Sequence, residues 1–202
     1  MDLFHSLWNI DWAKVTNIFS IFSTLAIIII SIFGLNTWRK QLKGTSEYEL
    51  SKKAILLTYE VQQLIQDVRN PMLHLPREEV ESGNRLEAEQ KIYSDRFELL
   101  DNKWAQLRTV ILESKVIWTN AATESFEDLK RVIGKLRGAI WLHFWMKGAY
   151  AGPGTTVDDS PERKQQNDKV VYFISDSDDF STEINKAVQQ VENFFKQKVR
   201  GK

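Results

Sequence analysis

The sequence predicts an all-α protein, in which an N-terminal transmembrane helix is followed by a cytosolic up-and-down helical bundle. Three observations carry this. Val15 to Trp38 is a run of 24 residues without a charge, at about 1.5 Å per residue long enough to cross a hydrocarbon core. Four later segments repeat apolar residues at spacings of three and four, the period of a helix with one buried face. Only four prolines and nine glycines interrupt 202 residues, and strand-like alternation is almost absent.

Composition narrows the function. The 27 basic and 27 acidic residues cancel, so no global basic field is available to grip nucleic acid, and direct nucleic-acid binding is not expected. With 43% hydrophobic residues, the chain can bury a core and is not a disordered polyelectrolyte. The absence of cysteine removes a disulfide scaffold, a thiolate metal site and a cysteine nucleophile, and it fits a reducing compartment. The mean hydropathy of −0.35 averages two very different segments.

Residues 1–14 read as an N-terminal interfacial segment and residues 15–38 as the transmembrane helix. Trp8 and Trp12 precede the span and Trp38 closes it, as interfacial aromatics do. A cleavable signal peptide fits poorly, because Asp2 and Asp11 make the start acidic, the apolar run is too long and no small-residue cleavage site follows. Before the span stands one basic residue, Lys14; after it come Arg39, Lys40, Lys43, Lys52 and Lys53. The excess of positive charge places residues 39–202 in the cytoplasm and the N-terminus outside. Trp12, Trp38, Arg39, Lys40 and Lys43 are the expected interface anchors on the lipid bilayer.

The span carries a pattern of its own. Asn17, Ser20, Thr24, Ile27, Ser31, Gly34 and Trp38 recur at spacings of three and four, so they share one helix face. Small and hydroxylated residues on one stripe let membrane helices approach closely and hydrogen-bond across the contact. The stripe through Asn17, Ser20, Thr24, Ser31 and Gly34 is therefore the candidate self-association face, and a pore face once several copies meet. Its plain alternative is an ordinary anchor whose hydroxyls bond to their own backbone.

Residues 39–202 form the predicted cytosolic bundle. Gly44-Thr45 is expected to separate the span from a first helix opened by the capping-box pattern Ser46-x-x-Glu49. Leu50, Ala54, Leu57, Val61, Leu64 and Val68 give that helix its stripe. Asn70-Pro71 ends it and is placed to start a short turn, limited by Pro76. A second helix runs from about Asn84 to Trp118, with Leu86, Tyr93, Phe97, Leu100, Trp104, Leu107, Ile111, Ser114 and Trp118 inward. A third covers about Thr123 to Lys147, with Phe126, Leu129, Ile133, Leu136, Ile140 and His143 on one face. Residues 148–169 are expected to be a mobile polar loop. Val170–Ile174 is a short apolar run of undecided type. The last helix spans about Ser181 to Arg200, with Ile184, Val188, Val191 and Phe195 inward.

Chemistry-bearing residues are few. Arg69 and His74 form an Arg-x4-His string, and Arg137 and His143 an Arg-x5-His string. Both match the loose Arg-x4-6-His pattern of HEPN domains, helical bundles that often pair to make metal-independent ribonucleases. There a histidine can move a proton near neutral pH while an arginine steadies charge on the phosphate. Against this stand structural readings, in which Arg69 and His74 finish a helix and His143 is a core histidine between Trp141 and Trp145. Glycine follows Arg137, and residues six apart do not share a helix face. Asp176, Asp178 and Asp179 lack the glycine and terminal glutamate of a calcium loop, and read instead as favouring the start of the last helix. The tail residues Lys196, Lys198, Arg200 and Lys202 could touch anionic lipid or RNA, and read more simply as a solvated helix end. No metal site, cofactor or established catalytic constellation is expected.

The stretch from Leu35 to Leu50 (LNTWRKQLKGTSEYEL), with Val68-Arg69-Asn70-Pro71, resembles a family of small bacterial single-pass proteins. In layout and in its divergent HEPN-like motif it is similar to the accessory membrane proteins encoded beside the RNA-guided nuclease of type VI-B CRISPR loci. The resemblance implies antiphage defence by a homo-oligomeric, pore-like assembly in the bacterial inner membrane, with an RNA-guided CRISPR nuclease as partner. A membrane-tethered HEPN ribonuclease and a non-catalytic membrane scaffold for a cytosolic partner are the alternative readings.

Overall fold

A computed structural model describes residues 11–150 and 152–199, which are helical throughout their regular structure. Trp8 and most of the 1–14 segment lie outside the described residues, as do Arg200 and Lys202 of the tail. In chain order the helices are α1 (Trp12–Arg69), α2 (Arg77–Glu81), α3 (Arg85–Trp118), α4 (Asn120–Glu124), α5 (Glu127–Met146), α6 (Pro161–Val171) and α7 (Asp179–Val199). The chain divides into two compact units, residues 1–46 and residues 47–202.

In the first unit, α1 is long and apolar enough to cross a membrane, and none of its most apolar stretch is buried against protein. Ile18, Phe19, Phe22, Leu25, Ile28, Ile29, Ile32 and Phe33 are all exposed. Exposure of so many large apolar side chains along one helix is what lipid, not water, accommodates.

The second unit is a bundle whose directions follow from its contacts. Lys103 on α3 pairs with Glu60 on α1 at 2.7 Å, and Arg96 donates to the carbonyl oxygen of Asn70 at 2.7 Å. These pairings run in opposite order along the two helices, so α3 is antiparallel to α1. Arg137–Asp101 and Lys147–Glu89, both 2.5 Å, set α5 antiparallel to α3 in the same way. Helix α7 runs antiparallel to α1, through Arg69–Ser181 at 2.8 Å and Gln62–Asn185 at 2.8 Å. Four helices thus run up, down, up and down. Their core contains Ala54, Val61, Ile65, Leu100, Leu107, Leu129, Leu136, Ile184, Val191 and Phe195, each almost fully buried. The predicted stripes are the buried faces.

Three boundaries differ from expectation. Helix α1 runs without a break through Gly44, Thr45 and Ser46, so neither the Gly44-Thr45 separation nor the Ser46-x-x-Glu49 helix start is present. A lone interior glycine costs about 1 kcal/mol, less than the fraying and renucleation of two helices. No helical turn follows Asn70-Pro71; residues 70–76 are irregular and α2 begins after Pro76. The Asn70 side chain instead closes a local turn, its Oδ1 accepting the Met72 N–H at 2.9 Å. The expected third helix starts later than Thr123: α5 begins at Glu127, after the short α4 and a turn at Ser125-Phe126.

The predicted loop at 148–169 contains α6. Pro161 sits in its first turn, where its missing N–H costs nothing. Only the last turn of α6 is apolar, so the helix has too little periodicity to register as one. It is tied to α5 by Asn167, whose buried amide donates to the Ala139 carbonyl at 3.0 Å.

Candidate functional site

On the span, the stripe residues Asn17, Ser20, Thr24, Ser31 and Gly34 are all exposed. Two of the hydroxyls are already satisfied: Thr24 Oγ1 donates to Ser20 O and Ser31 Oγ to Ile27 O, both at 2.8 Å. Such bonds to the preceding turn make these side chains behave as small, nearly apolar bumps. Gly34 has open space over its Cα. The stripe is therefore slim, and the Asn17 amide is its strongest polar group. Trp12 before the uncharged run, Trp38 at its end, and Arg39, Lys40 and Lys43 after it are exposed on the same helix.

The Arg-His strings come apart. Arg69 is fully buried, and its guanidinium is used by the fold. Nε donates to Val170 O at 2.9 Å, Nη1 to Ser181 Oγ at 2.8 Å, and Nη2 to Tyr172 O at 2.9 Å. Asp178 completes the set as an ion pair at 3.2 Å, and Phe180 lies under the guanidinium at 5.0 Å. The Asp178 carboxylate also caps α7, accepting the Ser181 N–H at 2.6 Å. Burial works against the Asp178 anion, but the N–H groups of Ser181 and Ile174 and the charge of Arg69 outweigh it and hold its pKa down at about 2. Of the three aspartates, Asp178 is thus the one that starts the helix. His74 is exposed on the irregular 70–76 segment, beside a groove of about 300 Å³ that it shares with Glu79, Glu87, Lys91 and Asp95. The fold spends Arg69 on holding α1, α6 and α7 together, so this guanidinium does not serve a phosphate beside His74.

His143 and Arg137 face different ways. His143 is buried, with Nε2 at 3.4 Å from Glu89 Oε1, and Lys147 Nζ reaches the same oxygen at 2.5 Å. Tyr93 and Tyr172 lie against the imidazole, with ring centroids at 6.3 and 5.7 Å. Burial and the Lys147 charge push the His143 pKa below its ordinary value, against the pull of Glu89. The neutral ring can donate its Nε2–H to the carboxylate. Burial raises the Glu89 pKa, but Lys147 and His143 outweigh it and the net shift is downward. His143 is a core histidine, packed on Tyr93, Phe144 and Tyr172, while Trp141 and Trp145 pack on each other at 4.3 Å.

Arg137 is exposed, paired with Asp101 and lying over the Phe97 ring at 4.9 Å. It lines an open groove of about 510 Å³ between α3 and α5 with Lys91, Phe97, Trp141 and Tyr150. Trp141 and Tyr150 stack there, nearly parallel at 6.0 Å. The sequence reading passed over Glu89, Lys147, Asp178 as an ion-pair partner, and Tyr150. Lys147, four residues after His143 and just past the end of α5, is the one whose spacing was visible. Among the described residues, no group of three or more acidic or imidazole side chains is arranged to hold a metal ion. No family model, curated protein or solved structure matches the chain.

Proposed function

We propose that this chain is a single-pass inner-membrane protein whose span self-associates, building an oligomeric, pore-forming effector in antiphage, CRISPR-linked defence. The observation that carries the assembly is the exposed stripe of Asn17, Ser20, Thr24, Ser31 and Gly34. With the Thr24 and Ser31 hydroxyls bonded back onto the helix, it is a slim surface on which a second copy can pack closely, with the Asn17 amide free to bond across. The basic residues Arg39, Lys40 and Lys43 support an inward-facing C-terminal domain. The defence setting rests on the resemblance in residues 35–50, and an RNA-guided nuclease is the partner it implies.

Burial of Arg69 weighs against the alternative, a tethered HEPN ribonuclease, because a guanidinium with no exposure cannot reach a phosphate. The scaffold reading is favoured by the Trp141–Tyr150 groove. Vesicles loaded with a self-quenched dye test the main reading. The wild-type chain should release dye, and the triple variant Asn17→Leu, Ser20→Leu, Thr24→Leu should release little while still inserting. Equal release by both would remove the stripe from the account. RNA cleaved without metal, and spared by His74→Ala or His143→Ala, would install the ribonuclease reading instead.

A further inference from the structure

The helical unit receives its chain from the span at Glu47, and the bundle register shows what stands at that end. From the Lys103–Glu60 pair, thirteen residues forward along α3 lead to Val116, and thirteen back along α1 lead to Glu47. Both paths cover about 20 Å in opposite chain directions, so Val116 lies level with the point where the chain comes in. The end of α7 is there too, since Trp118 packs edge-on against Phe195 at 5.5 Å.

The corner made by the end of α3 and by α4 has an unusual surface. Val116 is 86% exposed, and Leu112 and Ile117 are exposed beside it. From Val116 to Thr123 there is no charged residue. Thr119 turns the chain at φ 61, a region non-glycine residues seldom adopt. Glu113 and Lys115 on one side and Glu124 on the other leave the corner without a positive field. Glu47 follows Trp38 by nine residues, a tether of at most about 30 Å even when extended. An apolar, uncharged corner held so close to a bilayer by its own chain is matched to the interfacial region of phospholipid.

We propose that the Val116–Ile117 corner is a second membrane contact, inserting into the phospholipid interface by burial of apolar surface rather than by charge. The inference rests on the reading that Val15–Trp38 crosses a bilayer. The chain has no cysteine, so single nitroxide labels can be placed in the full-length protein at Leu25→Cys, Leu99→Cys and Val116→Cys. Leu99 is 60% exposed on the same helix α3, farther from the incoming chain. In phosphatidylcholine vesicles, collision with oxygen and with a water-soluble nickel chelate reports where each label sits. The labels at 25 and 116 should both favour oxygen, and the label at 99 should favour nickel. A label at 116 that matches 99 while 25 remains in lipid overturns this inference alone. Protection of 116 from both reagents, with spin–spin broadening, overturns it in favour of contact between copies. Nickel access at 25 overturns the membrane-span reading and the inference with it.

Discussion

Arg69 and Asp178 meet at 3.2 Å across 109 positions of sequence, the guanidinium fully buried and the carboxylate nearly so. The pair fastens the end of α1 to the start of α7, and the remaining guanidinium donors collect the carbonyl groups that end α6. Removing the cation strands those acceptors in the interior. Arg69→Ala should therefore destabilise the helical unit by about 3–5 kcal/mol. Arg69→Lys should recover only part, because one ammonium cannot fill a planar fork. Urea unfolding followed by circular dichroism checks both, and an Arg69→Ala midpoint equal to wild type would show that the network carries no load.

Stability should fall as the solution is acidified, in three stages with separate owners. His143 titrates below its ordinary 6.5, so the unfolded chain takes up a proton first, and stability present above that pH is lost as pH falls through it. Glu89 titrates below its ordinary 4.5, giving a second loss as pH falls past that value. Asp178, at about 2 against 3.8 unfolded, gives a third of about 2 kcal/mol, complete only near pH 2. The wild type should thus lose stability relative to His143→Phe as pH falls from 7 to 5. Parallel curves over that interval would contradict the buried neutral imidazole.

Asn167 should behave as a structural residue although it sits in a polar segment. Asn167→Ala removes the second donor of the Ala139 carbonyl, which keeps its own helical partner, a loss of about 0.5–1.5 kcal/mol. Amide exchange should speed up across α6 and at the facing turn of α5. Unchanged protection of α6 would mean that the helix does not depend on this tie.

Arg137 makes the opposite case. Its ion pair with Asp101 and its place over Phe97 are both solvent-exposed, and such pairs contribute about 0–1 kcal/mol. Arg137→Ala should fold with nearly wild-type stability. Any loss of dye release or of partner capture in that variant then reports on the Trp141–Tyr150 groove itself.

Much of the bundle was legible in the sequence because burial repeats along each helix. Val61, Leu100, Leu107, Ile133, Ile184 and Phe195 all sit on stripes of spacing three and four, and all are buried. The site was less legible because its partners come from far along the chain. Arg69 looked like half of an Arg-x4-His string, and only the fold brings Val170, Tyr172, Asp178 and Ser181 to it. His143 was visible as a core position, whereas Glu89, the carboxylate that meets it, belongs to another helix. Helix α6 escaped because one buried turn is too short to show a period. Gly44-Thr45 misled because a break residue acts only where nothing on either side propagates the helix through it.

The central claim is that the polar stripe of the span assembles copies of this chain. Native mass spectrometry of the detergent-solubilised full-length protein tests it most directly, comparing wild type with Asn17→Leu, Ser20→Leu, Thr24→Leu. The account predicts one defined oligomer for the wild type and a shift toward monomer in the variant, with helical content unchanged. A wild-type chain that stays monomeric at every concentration, or a variant that keeps the same oligomer, would contradict it.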